Sequence, residues 1–197
     1  MKGLCALALM LPLSAQPKTE NAKLETRAAN GSLESTFRTL VSSTVEAAWI
    51  GYTVSQIPGE RQMCGTVSLE GAREFVVLYR VAAGQVEKIR TYATDCTFDA
   101  GGLALHWLTG VDGTQSAMLL SSFTPKNSDG DRKGAEWQLA NSALSAIARH
   151  QDGAPALIEL ARRPQISAQF RQEAVRWLGR SKDPRATKFF EEILTAR

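Results

Sequence analysis

SAQFRQEAVRWLGRSKDPRATKFFEEIL, residues 167–194, is the stretch that decides the fold, because it contains two amphipathic helical segments joined by a short turn. Its apolar residues recur about every three or four positions, which is the spacing of one helix face. A looser copy of the pattern extends from Trp137 to Ala161. A repeated helical hairpin usually forms a surface that holds another molecule, so this end of the chain indicates binding rather than catalysis.

The two copies keep a constant spacing. Three pairs of equivalent residues lie 31 positions apart: Ala143 and Ala174, Ile147 and Leu178, and Asp152 and Asp183. In each copy a proline stands where the second helix should begin, a position that tolerates the missing N–H. A period of about 30 residues carrying two helices is typical of a helical solenoid. The sequence therefore predicts a helical unit over residues 135–197.

This unit resembles HEAT repeats, in the short form found in bacterial proteins. The second copy carries the resemblance in Phe170-Arg171-x-x-Ala174-Val175-x-x-Leu178-Gly179 followed by Asp183-Pro184-Arg185-Ala186. The first copy matches it more loosely, in Ala143-Leu144-x-x-Ile147-Ala148 followed by Asp152-Gly153. The resemblance covers only the C-terminal part of the chain. It implies a scaffold that binds protein.

The N-terminus has the three parts of a secretory signal peptide. Lys2 supplies a positive charge, an apolar run extends from Leu4 to Leu13, and Ser14-Ala15 offers small residues for cleavage. We expect cleavage after Ala15 and therefore an exported, periplasmic or secreted protein. The apolar run is too short to cross a bilayer as a helix, which needs about 20 residues. A buried N-terminal helix is the alternative interpretation.

Composition and charge exclude some classes of protein. The chain of 197 residues is 44% hydrophobic and 22% charged, which is ordinary for a folded protein. The net charge of +3 is small and the basic residues are spread along the chain, so we expect no nucleic-acid surface. The sequence also predicts no stable insertion in a membrane.

Removal of the signal peptide would leave two cysteines, Cys64 and Cys96. A pair of thiols in an oxidising compartment tends to form a disulfide, which is the favoured prediction. Two free buried thiols remain an alternative. A metal site is less favoured, because two cysteines without a Cys-x-x-Cys spacing or a nearby histidine supply too few ligands.

The middle of the chain predicts a sheet. We expect a flexible leader over 16–31, a helix over 33–46 with Ser32 as its N-cap, and strands near 48–54, 63–69, 74–81, 85–92, 94–98 and 103–108. A helix over 113–123 and a polar linker over 124–134 follow. The predicted fold class is thus α+β: a small antiparallel sheet domain with flanking helices over 32–123, then the HEAT-like unit over 135–197.

The sequence contains little evidence for a catalytic site. An Asp–His pair at His106 with Ser121 or Ser122 as a nucleophile is conceivable, but the motif of a hydrolase nucleophile is missing. We interpret His106 as a solvent-facing strand residue. We interpret His150 as a residue at a helix C-terminus, where a partial positive charge is favourable.

Candidate ligand sites are equally weak. Asn127 to Asp131 alternates oxygen ligands as a calcium loop does, but lacks the closing glutamate, so we interpret it as a linker. Trp49, Tyr52 and Trp107 could line a groove, although aromatic residues at strand spacing more often lie in a core. We predict no cofactor and no metal.

The favoured function is a non-enzymatic adaptor that binds another exported protein through its helical repeats. The predicted contact surface comprises Arg171, Gln172, Arg176 and Arg180. One alternative is an envelope hydrolase or enzyme inhibitor with its site near Trp49, Tyr52 and His106. Another is an accessory subunit whose sheet edge pairs with a strand of its partner. The sequence leaves the identity of the partner and the oligomeric state open.

Overall fold

The structure is a computed structural model that describes residues 16–29, 31–58, Cys64, 71–125 and 134–195. The signal peptide predicted for 1–15, most of the strand predicted for 63–69 and the calcium-like Asn127–Asp131 lie outside the described residues. The elements in chain order are β1 Lys18–Glu20, β2 Lys23–Ala28, α1 Leu33–Ser43, β3 Ala48–Ser55, β4 Glu74–Ala82, β5 Gln85–Ala93, β6 Thr97–Asp99, β7 Ala104–Thr109, α2 Gly113–Ser121, α3 Ala135–Arg149, α4 Gly153–Arg162, α5 Ala168–Leu178 and α6 Pro184–Thr195.

The main sheet is mixed rather than antiparallel. Its five described strands follow the order β2-β7-β3-β4-β5. The β3–β4 and β4–β5 pairs are antiparallel, but β7 is parallel to both β3 and β2. The antiparallel prediction is therefore wrong for half of this sheet. A hairpin can be predicted from a local turn such as Ala83-Gly84. Parallel pairing joins segments that are distant in sequence, so no local sequence pattern predicts it.

The segment predicted as a flexible leader forms strands. β1 pairs in parallel with β6 as a separate two-stranded sheet, and β2 pairs along its full length with β7. Within β2 only Leu24 is even partly buried. Backbone hydrogen bonds, rather than an apolar face, hold this edge strand in place. Hydrophobic patterning therefore missed it.

Each face of the main sheet is covered. The helices cover one face, where Ile50, Tyr52 and Val77 lie in the larger hydrophobic cluster. A smaller cluster on the other face consists of Val76, Leu78, Leu105 and Trp107. Position 51, which contacts this smaller cluster, accommodates only glycine without rearrangement, because a Cβ there would lie 2.5 Å from Leu78 Cδ2 and 2.9 Å from Trp107 Cζ3.

The helical unit shares the larger cluster with the sheet. Buried residues of α3 to α6, including Leu144, Leu157, Phe170 and Phe189, belong to the same cluster as the β3 and β4 side chains. Two backbone hydrogen bonds also join the parts: the N–H of Ile57 donates to Arg149 O at 3.0 Å, and that of Gln151 to Ser55 O at 3.1 Å. The boundary predicted at 124–134 therefore does not separate two cores.

Four helices, α3 to α6, lie within the helical unit predicted over 135–197. Ser32 and Ser167 accept hydrogen bonds from backbone N–H groups three residues onward, as N-caps do. At the start of α6, Asp183 accepts from the N–H and the guanidinium of Arg185, whose Nη2 also donates to Gln151 O at 2.6 Å. The Asp-Pro-Arg motif thus holds a turn against the preceding hairpin.

Candidate functional site

The residues proposed for an enzyme site do not come together. Trp49 and Tyr52 point to opposite faces of β3: Tyr52 lies in the larger cluster, whereas Trp49 packs against the smaller one. The hydroxyls of Ser121 and Ser122 donate to carbonyls of their own helix, Ala117 O and Leu119 O. No arrangement of nucleophile and base follows from these positions.

His106 is not the solvent-facing residue that we predicted. Its side chain is only 14% exposed, and its Nδ1 lies 3.2 Å from Oε2 of Glu25 on β2. The hydrogen bond from Arg27 and the charge of His106 lower the pKa of Glu25. The sequence analysis did not predict β2, so it could not predict that Glu25 lies beside His106.

A chain of buried polar groups crosses the interface between sheet and helices. The Tyr79 and Tyr52 hydroxyls lie 2.7 Å apart, and the Tyr52 hydroxyl lies 2.7 Å from Ser116 Oγ. Ser116 Oγ in turn lies 2.9 Å from Nε2 of His150. All four residues are fully buried. These contacts satisfy polar groups that would otherwise cost free energy in the core.

Burial keeps this chain neutral. Desolvation lowers the pKa of His150 to about 4, although the charge of Asp112 opposes the shift. Desolvation also raises the pKa of Tyr52 to about 12. The positive charge that we predicted for His150 is therefore wrong: the residue caps the C-terminus of α3, but as a neutral imidazole. The chain of hydroxyls stabilises the fold and is closed to a substrate.

The four residues of the predicted contact surface have different surroundings. Arg171 Nη1 donates to Pro164 O at 3.3 Å, so it braces the loop before α5. Arg176 forms an ion pair with Glu173. The guanidinium of Arg180 lies 5.2 Å from the ring centroid of Trp177, a cation–π contact. Gln172 and Arg176 are exposed and one helical turn apart.

The wider basic edge of the helical unit is largely neutralised. Arg162 pairs with Glu192 at 2.7 Å, and Arg163 pairs with Glu159. Exposed pairs of this kind contribute little to stability but do cancel charge. The edge is therefore not the uniform cationic field that its arginines suggest in the sequence.

A groove of about 400 Å³ lies between the sheet and the helical unit. We call it the edge groove, and its lining consists of Ile89, Arg90, Thr91 and Tyr92 from β5, Asn141, Ser142 and Ser145 from α3, and Trp177 from α5. Trp177 Nε1 donates to Asn141 Oδ1 at 3.2 Å and so fixes the tryptophan at the rim. The predicted contact residues Arg176 and Arg180 neighbour this tryptophan in sequence. The edge groove is polar and open to solvent.

Exposed apolar side chains lie elsewhere. The most exposed large hydrophobic residues that the structure describes are Val45, Met118, Ile193 and Leu194. None of them lines the edge groove. Recognition in the edge groove would therefore depend on hydrogen bonds and charge more than on a hydrophobic patch.

The cysteine prediction is confirmed by geometry. The sulfurs of Cys64 and Cys96 lie 2.04 Å apart and their Cα atoms 5.0 Å apart. Cys96 is buried directly after β5, and its N–H donates to Ala93 O at 3.2 Å. The disulfide thus anchors the end of the strand that borders the edge groove.

Two further properties concern only the described part of the chain. No three His, Cys, Asp or Glu side chains within it are grouped as a metal site would need. None of its helices is long and apolar enough to cross a membrane.

The chain was compared with protein-family models, with curated proteins and with solved structures. No match was found in any of the three comparisons.

Proposed function

We propose that this chain is a non-enzymatic adaptor that binds another exported protein. The edge groove is the observation that supports the proposal most strongly, because three elements meet there around a fixed tryptophan. Aromatic residues and arginines are enriched where proteins bind each other. Trp177 is only partly buried, and Arg180 lies against its ring.

The contact surface of this proposal extends from Trp177 along α5. It contains Gln172, Arg176 and Arg180 of the predicted surface, while Arg171 supports the loop before the helix. Arg176 can exchange its intramolecular partner for a carboxylate of the bound protein, since exposed ion pairs are weak. The HEAT-like character of the helical unit belongs to the proposal, as do export and cleavage after Ala15. Support for export comes from the N-terminal sequence pattern and from the disulfide.

The proposal is tested by capturing the partner. The full chain, with a C-terminal affinity tag, is exported to the bacterial periplasm, lightly crosslinked and purified, and the bound proteins are identified by mass spectrometry. We expect one abundant partner with the native chain and loss of it with the double variant Arg176→Glu and Arg180→Glu.

A matched control separates charge from position. The double variant Arg27→Glu and Arg38→Glu reverses two exposed arginines that also form short-range pairs, with Glu25 and Glu34, away from the helical unit. This control should keep the partner. Equal capture by native chain, test variant and control would refute the proposed surface.

A further inference from the structure

Strand β5 is an edge strand among the five described strands of the main sheet. It pairs only with β4 among the described strands. Apart from the bond from Cys96 to Ala93 O, no backbone hydrogen bond joins β5 to any described residue outside that pair. Along an antiparallel edge strand, alternate N–H and C=O groups point away from the sheet and can bind another strand. β5 spans nine residues, about 30 Å of such groups.

Strand β5 forms one side of the edge groove. Four consecutive residues of β5, from Ile89 to Tyr92, line the groove, so residues from both faces of the strand border the cavity. The opposite side is formed by polar residues of α3, among them Ser142, and by Trp177. Arg149 Nη1 donates to Thr91 Oγ1 at 3.0 Å and fixes the helix at the strand. An extended segment laid along β5 would therefore meet hydrogen-bonding side chains as well as backbone groups.

Charge decides what kind of segment fits. Lys88 and Arg90 are exposed on β5, point to the same face, and form no ion pair with a described residue. Glu87 is paired with Arg80, so it does not neutralise them. Two copies of β5 side by side would crowd four cations along one edge, which disfavours pairing between copies. A strand that carries carboxylates would be attracted instead.

We propose that β5 binds an extended acidic segment of a partner protein as an added strand in the edge groove. This inference rests on the proposed adaptor function and names the form and charge of the partner's segment. Backbone hydrogen bonds supply the affinity, and the cations of β5 select the charge, as in other complexes formed by strand addition. The same cations repel basic strands.

The direct test uses defined peptides and the full chain purified from the periplasm. The probe is a fluorescent peptide of about eight residues that alternates Glu with Thr, long enough to cover most of a strand. A peptide that alternates Lys with Thr is its matched control. We expect binding of the acidic peptide alone, weakened by added salt because exposed charges are screened.

Nuclear magnetic resonance locates the bound peptide. In ¹⁵N-labelled chain, alternate amides between Lys88 and Ala93 should become protected from hydrogen exchange when the acidic peptide binds. Protection elsewhere, or none, overturns strand addition. The double variant Lys88→Glu and Arg90→Glu should lower the affinity for the acidic peptide by about tenfold or more. An unchanged affinity would also overturn it.

The captured partner distinguishes this inference from the adaptor proposal. If the β5 variant retains the partner and the α5 variant loses it, the adaptor stands and strand addition to β5 is wrong. If both variants retain it, the adaptor surface itself is wrong. Formation of a dimer that the β5 variant abolishes, measured by sedimentation, would show that a second copy occupies the edge and would contradict the proposal.

Discussion

Two polar regions border the same sheet, and they differ in access to water. The Tyr79–Tyr52–Ser116–His150 chain is fully buried between sheet and helices, and its hydroxyls and imidazole bond each other. The edge groove has hydroxyl and amide groups as well, but it is open to solvent, and its one cation, Arg90, forms no ion pair with a described residue. Similar side chains therefore stabilise the core in one region and are accessible to a bound molecule in the other.

The largest effect should come from the buried side. Replacing Tyr52→Ala removes a fully buried ring and two hydrogen bonds, so the free energy of unfolding should fall by about 3–5 kcal/mol. Urea denaturation followed by circular dichroism measures this. A fall below about 1 kcal/mol would contradict the packing described for the ring.

Removal of the disulfide should have the second-largest effect on stability, because the bond anchors the end of β5. The double variant Cys64→Ser and Cys96→Ser opens a loop with a sequence separation of 32 residues. The free energy of unfolding should fall by about 3–4 kcal/mol on the chain-entropy model. The native chain should lose a similar amount when it is reduced, whereas the variant should be insensitive to reductant. A variant as stable as the native chain would show that the bond does not constrain the fold.

Acid should weaken the buried region through His150. Its pKa is about 4 in the fold and 6.5 as a free side chain, so the unfolded state binds a proton first as the pH falls. Stability is therefore complete above pH 6.5 and declines between there and about pH 4. Between about pH 7 and pH 5 the loss should be about 2 kcal/mol.

The variant His150→Gln isolates this effect. It should be less stable at neutral pH and nearly flat between about pH 7 and pH 5. The pKa values of Glu25 and Asp183 are lowered by hydrogen bonds from Arg27 and Arg185, so the stability they contribute is lost only at more acidic pH. Equal acid sensitivity of variant and native chain would assign the loss to another group.

The smallest effect on stability should occur at the edge groove. Ser142 Oγ donates to a carbonyl of its own exposed helix, Gln138 O, at 2.8 Å. The variant Ser142→Ala should change the free energy of unfolding by less than about 0.5 kcal/mol. A loss comparable to that of Tyr52→Ala would remove the contrast between the two regions.

The sequence predicts elements well where the signal is local. The helices α3 to α6 follow from a 3.6-residue period, and the predicted N-cap Ser32 marks the start of α1. The β4–β5 hairpin follows from an apolar run in β4, an imperfect alternation in β5 and the Ala83-Gly84 turn between them. The pairing of Cys64 with Cys96 follows from the cysteine count together with the predicted signal peptide.

Contacts between residues distant in sequence could not be predicted in the same way. β2 buries little beyond Leu24, so no apolar pattern distinguishes it from a flexible leader. The parallel position of β7 beside β3 depends on the path of the chain between them. The edge groove depends on strand order, which places β5 at the edge. The buried polar chain joins residues far apart in sequence, although a tyrosine in a strand that lies in a core does signal that its hydroxyl needs a partner.

Site-specific photocrosslinking in the periplasm tests the edge groove as a binding site most directly. A photoreactive amino acid replaces Ser142 in the edge groove or, as a control, exposed Thr39 on α1. We expect a discrete crosslinked protein at position 142 only, which disappears when Lys88 and Arg90 are also replaced by glutamate. A crosslink at position 39 alone would contradict the edge groove as a binding site, and one at 142 that survives the charge reversal would contradict strand addition to β5.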